Sequence, residues 1–229
     1  NDNILNEDLD FVPVISDQIK DDDVTKRLPS VVPILSLRNT VLFPGVLIPI
    51  TVGRQKSMKL IRDAYEGNKI IGAVAQKDSK IEEPDIKDLY KTGTVAQILK
   101  ILEMPDGGTS VIIQGLQRFE IAEIVAKRPY YKAKINVRQD IFPPDTDREF
   151  EAAVGSIKDL SIKIIQLSTN VPPEASFAVK NIENPGFLIN FVSSNSNITA
   201  TDKQKLLETD DMKQRAIMLI GHLSKEVQM

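Results

Sequence analysis

The chain has 229 residues, 41% of them hydrophobic, with no Cys, no Trp and a formal charge of −3, enough for one large domain or two coupled lobes packed on Ile, Leu and Val. The missing Cys exclude disulfides, thiolate nucleophiles and thiolate metal sites, and the mildly acidic balance argues against a general affinity for phosphate backbones. No apolar run reaches bilayer-spanning length and the start lacks the basic and apolar regions of a signal peptide, so a cytoplasmic protein with no membrane partner is expected.

Residues 1–29 mix acids and amides with few apolar side chains and include Asp21-Asp22-Asp23. Such a segment buries little and repels itself, and it reads as a disordered acidic leader. Its Phe11-Val12-Pro13-Val14-Ile15 patch is the one stretch suited to pairing with a sheet edge or a neighbouring molecule. From Val31 the chain turns to β-branched and apolar residues broken by Pro and Gly, over 31–37 and 43–50, which predicts strands with irregular connections. The stretch 55–65 sets Met58, Ile61, Ala64 and Tyr65 at helical spacing, with Gly67 as a left-handed terminator. Strands are predicted over 69–75, 93–104, 109–114, 119–125 and 130–137, and Pro105-Asp106-Gly107-Gly108 is a hairpin turn. About six short strands around one helix are too many for a doubly wound parallel sheet. They predict a compact, partly closed β-lobe over residues 30–143. Phe142-Pro143-Pro144 ends it, because consecutive prolines cannot extend a ladder.

The remainder, 144–229, is predicted to be a helical lobe, which makes the fold class α+β. Thr146 and Glu149 fit a capping box ahead of the stripe Phe150, Val154, Ile157, Leu160, Ile164 and Leu167. Pro172-Pro173 suits a helix over 174–181, Pro185 starts another through 192, and Thr201 caps one ending near 208. Asp210 is placed as the cap of a long last helix, whose stripe of Met212, Ala216, Leu219, Ile220, Leu223 and Val227 is still running at Met229. With a first residue that is not Met, this unfinished stripe leads to the expectation that both ends are cuts in a longer protein, the last helix continuing beyond.

The residues of common enzyme chemistry are not grouped. Phosphate-binding loops end in Gly-Lys-Ser/Thr, and no Gly-Lys pair exists here. A metal site needs several ligands, and the only histidine, His222, reads as a surface or interface residue. Ser57 and Ser161 each precede a Lys by two residues, a spacing common by chance in a Lys-rich chain. Glu82-Glu83 and Asp210-Asp211 read as solvated loops and helix caps, and Lys127-Arg128 before Tyr130-Tyr131 reads as a strand boundary that imitates a stacking platform. Catalytic, cofactor-binding and metal residues are therefore expected to be none.

One long run carries a resemblance. From Pro33 through Leu37-Arg38-Asn39-Thr40, Phe43-Pro44-Gly45 and Ile48-Pro49-Ile50 to Gly53-Arg54, the chain resembles the opening signature of the Lon protease amino-terminal domain. Val74-Ala75-Gln76-Lys77, the Gly93-to-Leu99 strand, Pro105-Asp106-Gly107 and Gly115-Leu116-Gln117-Arg118 follow in that family's order. Pro172-Pro173-Glu174, Asn184-Pro185 and the run from Asp202 to Glu208 are similar too, so the likeness covers about 31–229. It implies a PUA-like pseudo-barrel followed by a helical lobe that feeds an ATPase module. It also implies a homohexameric parent protein that uses ATP and Mg2+ to deliver misfolded, damaged and short-lived regulatory proteins to a Ser-Lys peptidase chamber. Arg38, Gly45, Gly53, Gly115 and Arg118 are assigned to turns and lobe closure.

A region that selects unfolded proteins must hold exposed apolar segments without strict sequence. Phe43, Pro44 and Leu47, in the irregular Phe-Pro-Gly stretch, and Met104, beside the hairpin tip, are the candidate substrate-binding residues, with core packing as their alternative role. Other functions the same pattern permits are a stand-alone protein-binding adaptor, a PUA-like RNA-binding module, disfavoured by charge, and a helical strut for oligomerisation.

Overall fold

A computed structural model describes residues 28–229. The predicted leader, with its Phe11-to-Ile15 patch, lies outside them except for its last two residues. Six strands form one sheet: β1 (Val31–Leu37), β2 (Leu47–Val52), β3 (Ile70–Ala75), β4 (Thr92–Glu103), β5 (Thr109–Ala126) and β6 (Lys132–Val137). Their order is β2-β5-β4-β3-β1-β6, and a further pairing of β5 with β6 closes the last five into a ring. Closure depends on the 18-residue β5, whose first half pairs with β2 and whose second half pairs with β6 while β4 runs along its other edge. Irregular register near Ala96, Ile98, Glu123 and Ala126 supplies the bends a small barrel needs. The helix α1 (Gln55–Glu66) buries Leu60, Ile61 and Ala64 against the inward residues of the strands.

The pseudo-barrel is as expected, with local corrections. The stretch read as two strands, 109–114 and 119–125, is one. Gly115 is not a turn but a point of close approach: a Cβ there would collide with the Phe43 carbonyl, and Gly115 N–H donates to Val46 O at 2.9 Å while its own O accepts from Gly45 N–H at 2.8 Å. Gly67 is not left-handed, having φ −95. The reversal falls at Lys69, φ 64, whose N–H donates to Ala64 O. The Met104-to-Gly108 hairpin tip closes as predicted, with Gly107 at φ 86.

Five helices follow: α2 (Arg148–Leu167), α3 (Ala175–Lys180), α4 (Pro185–Asn195), α5 (Ala200–Glu208) and α6 (Met212–Val227). The helix predicted to start at Pro185 does so, while three other caps sit one or two residues from the predicted positions. Asp147, Thr199 and Asp211 accept from Phe150, Asp202 and Gln214 N–H, in place of Thr146, Thr201 and Asp210. Neighbouring Thr and Asp residues are all competent caps, so composition alone does not choose among them.

One apolar core crosses the lobe boundary. Val41, Phe43, Val46 and Ala75 pack with Ile157, Ile182, Leu188, Ile189, Leu206 and Leu219. Phe43 has 0% of its surface exposed, which corrects its assignment as a substrate contact: the ring is a structural wedge between the lobes. Phe43→Ala should cost about 3–5 kcal/mol of stability in denaturant unfolding, whereas Met104→Ala, at a residue 47% exposed, should leave the midpoint nearly unchanged.

Candidate functional site

The four predicted contacts do not form one surface. Pro44 lines a cleft between the lobes. Leu47 is half-buried and opens β2 opposite Gln114. Met104 sits at the hairpin tip, past the Val52 end of β2. Five steps along β5, roughly 17 Å at strand rise, separate the partners of those two ends.

The cleft encloses about 530 Å³. Its β-lobe wall is Pro44, Gly45, Gly115 and Leu116, its helical wall is Phe150, Val154, Pro185 and Phe187, and the linker residues Phe142, Pro143 and Pro144 cross between them. Of the eight Phe in the chain, Phe142, Phe150 and Phe187 gather here. Phe142 and Phe150 meet edge to face at 6.4 Å. Phe187 lies so close to Gly45, φ 79, that a Cβ there would come within 2.8 Å of its ring. Phe142 stays 46% exposed because the linker is held on both sides. Ile141 N–H donates to Asp210 O at 2.8 Å, Met212 N–H donates to Ile141 O at 2.9 Å, and the prolines keep the backbone extended. Sequence reading missed these rings. For two of the three the available signal was Phe within two residues of Pro, in Phe142-Pro143-Pro144 and Pro185-Gly186-Phe187.

Beneath the cleft, three arginines and two aspartates join the lobes. Arg118, on β5, is fully buried. It donates to Asp140 Oδ1 at 2.9 Å, Asp210 Oδ1 at 2.7 Å, Leu207 O at 3.0 Å and Gln139 O at 3.0 Å. Arg138 donates to both Asp210 oxygens, to Glu208 O and to Thr92 Oγ1. Arg215, on α6, is also fully buried and donates to Thr209 O, Asn190 Oδ1 and Asp140 Oδ1. Burial pushes Arg215 down to about 10, against the pull of Asp140, so it remains charged at neutral pH. Burial opposes ionisation of Asp210 too, but hydrogen bonds from Arg138 and Arg118 outweigh it and hold its carboxyl below the usual range. Asp210 is therefore an anchor for two arginines, which is why the cap of α6 falls to Asp211.

The remaining candidates stay apart. Ser161 Oγ donates to Ile157 O inside α2, and Ser57 is half-buried near the start of α1. Tyr130 is buried, its hydroxyl donating to Asp63, so it offers no ring to a stacked base. His222 is half-buried on α6, and among the described residues no three His, Asp or Glu are grouped to hold a metal ion. Arg38 donates to Ile81 O and Gly53 leads from β2 into α1.

A family model for the ATP-dependent protease La (LON) substrate-binding domain matches residues 31–225. The Lon protease of Flavobacterium johnsoniae is 48% identical over 219 residues, 96% of this chain and 27% of the relative. That of Cytophaga hutchinsonii is 45% identical over 223 residues, 97% and 27% respectively. The chain thus spans about a quarter of the length of these relatives. In fold it matches the N-terminal domain of a Mycobacterium avium complex Lon protease, with TM-score 0.70 and 23% identity over 85% of this chain and 98% of that one.

Removing one partner of a buried ion pair strands the other charge. Arg118→Met should therefore cost about 3–5 kcal/mol, read by calorimetry. A carboxyl with a lowered folded-state pKa stabilises above its unfolded pKa and loses that contribution as pH falls through the folded value. Asp210→Asn should accordingly flatten the acid limb of a stability-versus-pH curve below about pH 4.

Proposed function

This chain belongs to the LON substrate-binding domain family, and on that premise we propose that it captures unfolded polypeptide segments in the cleft between its lobes. The observation that carries the reading is the grouping of Phe142, Phe150 and Phe187 with prolines in a cleft of about 530 Å³. Unfolded chains share apolar side chains rather than a motif, and concave aromatic surfaces hold such groups with little demand on sequence. Pro44 is retained as a cleft contact, and exposed Met104 serves as a second, weaker contact at the hairpin tip.

The whole protein is in this proposal an ATP-dependent serine endopeptidase of the cytoplasm, assembled as a homohexamer and acting on misfolded, damaged and short-lived regulatory proteins. The 27% share of the relatives' length supports assigning ATP, Mg2+ and peptide-bond chemistry to other segments, since these 229 residues hold no Gly-Lys phosphate loop. The role left to this chain is selection.

Photo-crosslinking to a permanently unfolded client tests the reading. Phe142→Ala, at a half-exposed ring, should keep the fold and weaken capture about tenfold, the loss of one strong contact worth roughly 1.4 kcal/mol. Met104→Ala should weaken it less. Capture unchanged by Phe142→Ala and abolished by Met104→Ala would move the client site from the cleft to the hairpin tip.

A further inference from the structure

Charge in the cleft is one-sided. Among the described residues Asp140, Asp145, Asp147 and Glu151 line it, and no Lys or Arg does. Two of the four are already neutralised: Asp140 by Arg118 and Arg215, and Asp147 by Lys213 at 2.9 Å. Lys213 is in turn shared with Glu149. Asp145 and Glu151 are exposed and make no ion pair or side-chain hydrogen bond among the described residues. Two carboxylates therefore flank apolar walls with their charge unspent. The start of α4 also opens here, but Pro185 has no N–H to offer and Asn184 already accepts from Phe187 N–H, so that helix end does little to attract an anion.

We infer that the cleft takes apolar segments flanked by Lys or Arg and rejects equally apolar segments flanked by Asp or Glu. The inference rests on the reading of the cleft as the client site, and adds a charge filter to it. An aromatic or aliphatic client side chain seats among Phe142, Phe150 and Phe187, and a long basic side chain lays its methylenes along the prolines while its charge reaches the Asp145 and Glu151 rim. A client acid in the same place faces like charge beside a low-dielectric wall. Exposed ion pairs are each worth a few-fold in affinity, so two of them separate basic from acidic flanks by roughly tenfold at low salt.

The test uses the 229-residue chain and three fluorescein-labelled peptides with one Phe-Leu-Phe centre, flanked by Lys, Gln or Glu, read by fluorescence anisotropy. The Lys-flanked peptide should bind roughly tenfold tighter than the Glu-flanked one, with Gln between them, and about 0.5 M salt should compress the spread. The double substitution Asp145→Asn with Glu151→Gln should erase the difference between Lys and Glu flanks. Equal affinities for all three peptides, each weakened by Phe142→Ala, would overturn the charge filter and leave the client cleft standing. Binding of none, or binding indifferent to Phe142→Ala, would overturn both.

Discussion

Arg118 is a charged side chain at the centre of the 18-residue β5, and that side chain is fully buried. A guanidinium in that position is tolerable only if its donors are met and its charge balanced. The partners come from the linker, at Gln139 and Asp140, and from the α5–α6 corner, at Leu207 and Asp210. The barrel therefore cannot satisfy its own arginine without the helical lobe. Arg215 repeats the arrangement in the opposite direction, reaching from α6 to the linker aspartate. Each lobe holds a buried cation whose partners lie at the seam, and the apolar core around Phe43 supplies the cohesion that brings them together.

The cleft follows from this seam. Its walls belong to different lobes, so their spacing is set by whatever fixes one lobe against the other. The Asp210 corner fixes the linker as well, since Ile141 bonds through its main chain to Asp210 and Met212. Phe142 is consequently presented from a strap tied at one end by hydrogen bonds and stiffened at the other by two prolines. A surface held in this way loses little conformational freedom on capture, so a few apolar contacts without strict sequence suffice for binding in the proposed role. Polar residues hold the geometry from below and apolar residues line the cleft above, where the proposed client would sit.

Much of the architecture was legible in the sequence because it is local. Period-two and period-3.6 patterns, the Asp-Gly turn at Gly107 and the Phe142-Pro143-Pro144 break each report on a few neighbouring residues. Cap positions drifted because Thr146 and Asp147, or Asp210 and Asp211, differ only in what they meet in three dimensions. Gly115 misled for a related reason: glycine serves equally for a turn and for close contact with a distant backbone, and here the Phe43 carbonyl decides. The site was less legible. Phe43 and Phe142 are both followed by proline, yet one is a core wedge and the other a half-exposed ring. Which is which depends on contacts more than a hundred residues apart, such as Asn190 Nδ2 donating to Pro44 O.

The central claim is that one client segment is gripped by both lobes at a seam held by buried arginines. Hydrogen-exchange mass spectrometry of the chain, with and without a saturating unfolded client, addresses it directly. The account predicts simultaneous protection of the linker around Phe142 to Asp147, the start of α4 around Asn184 to Asn190, and the Pro44-to-Val46 turn. Protection confined to one lobe, or to the Met104 hairpin tip alone, would contradict it.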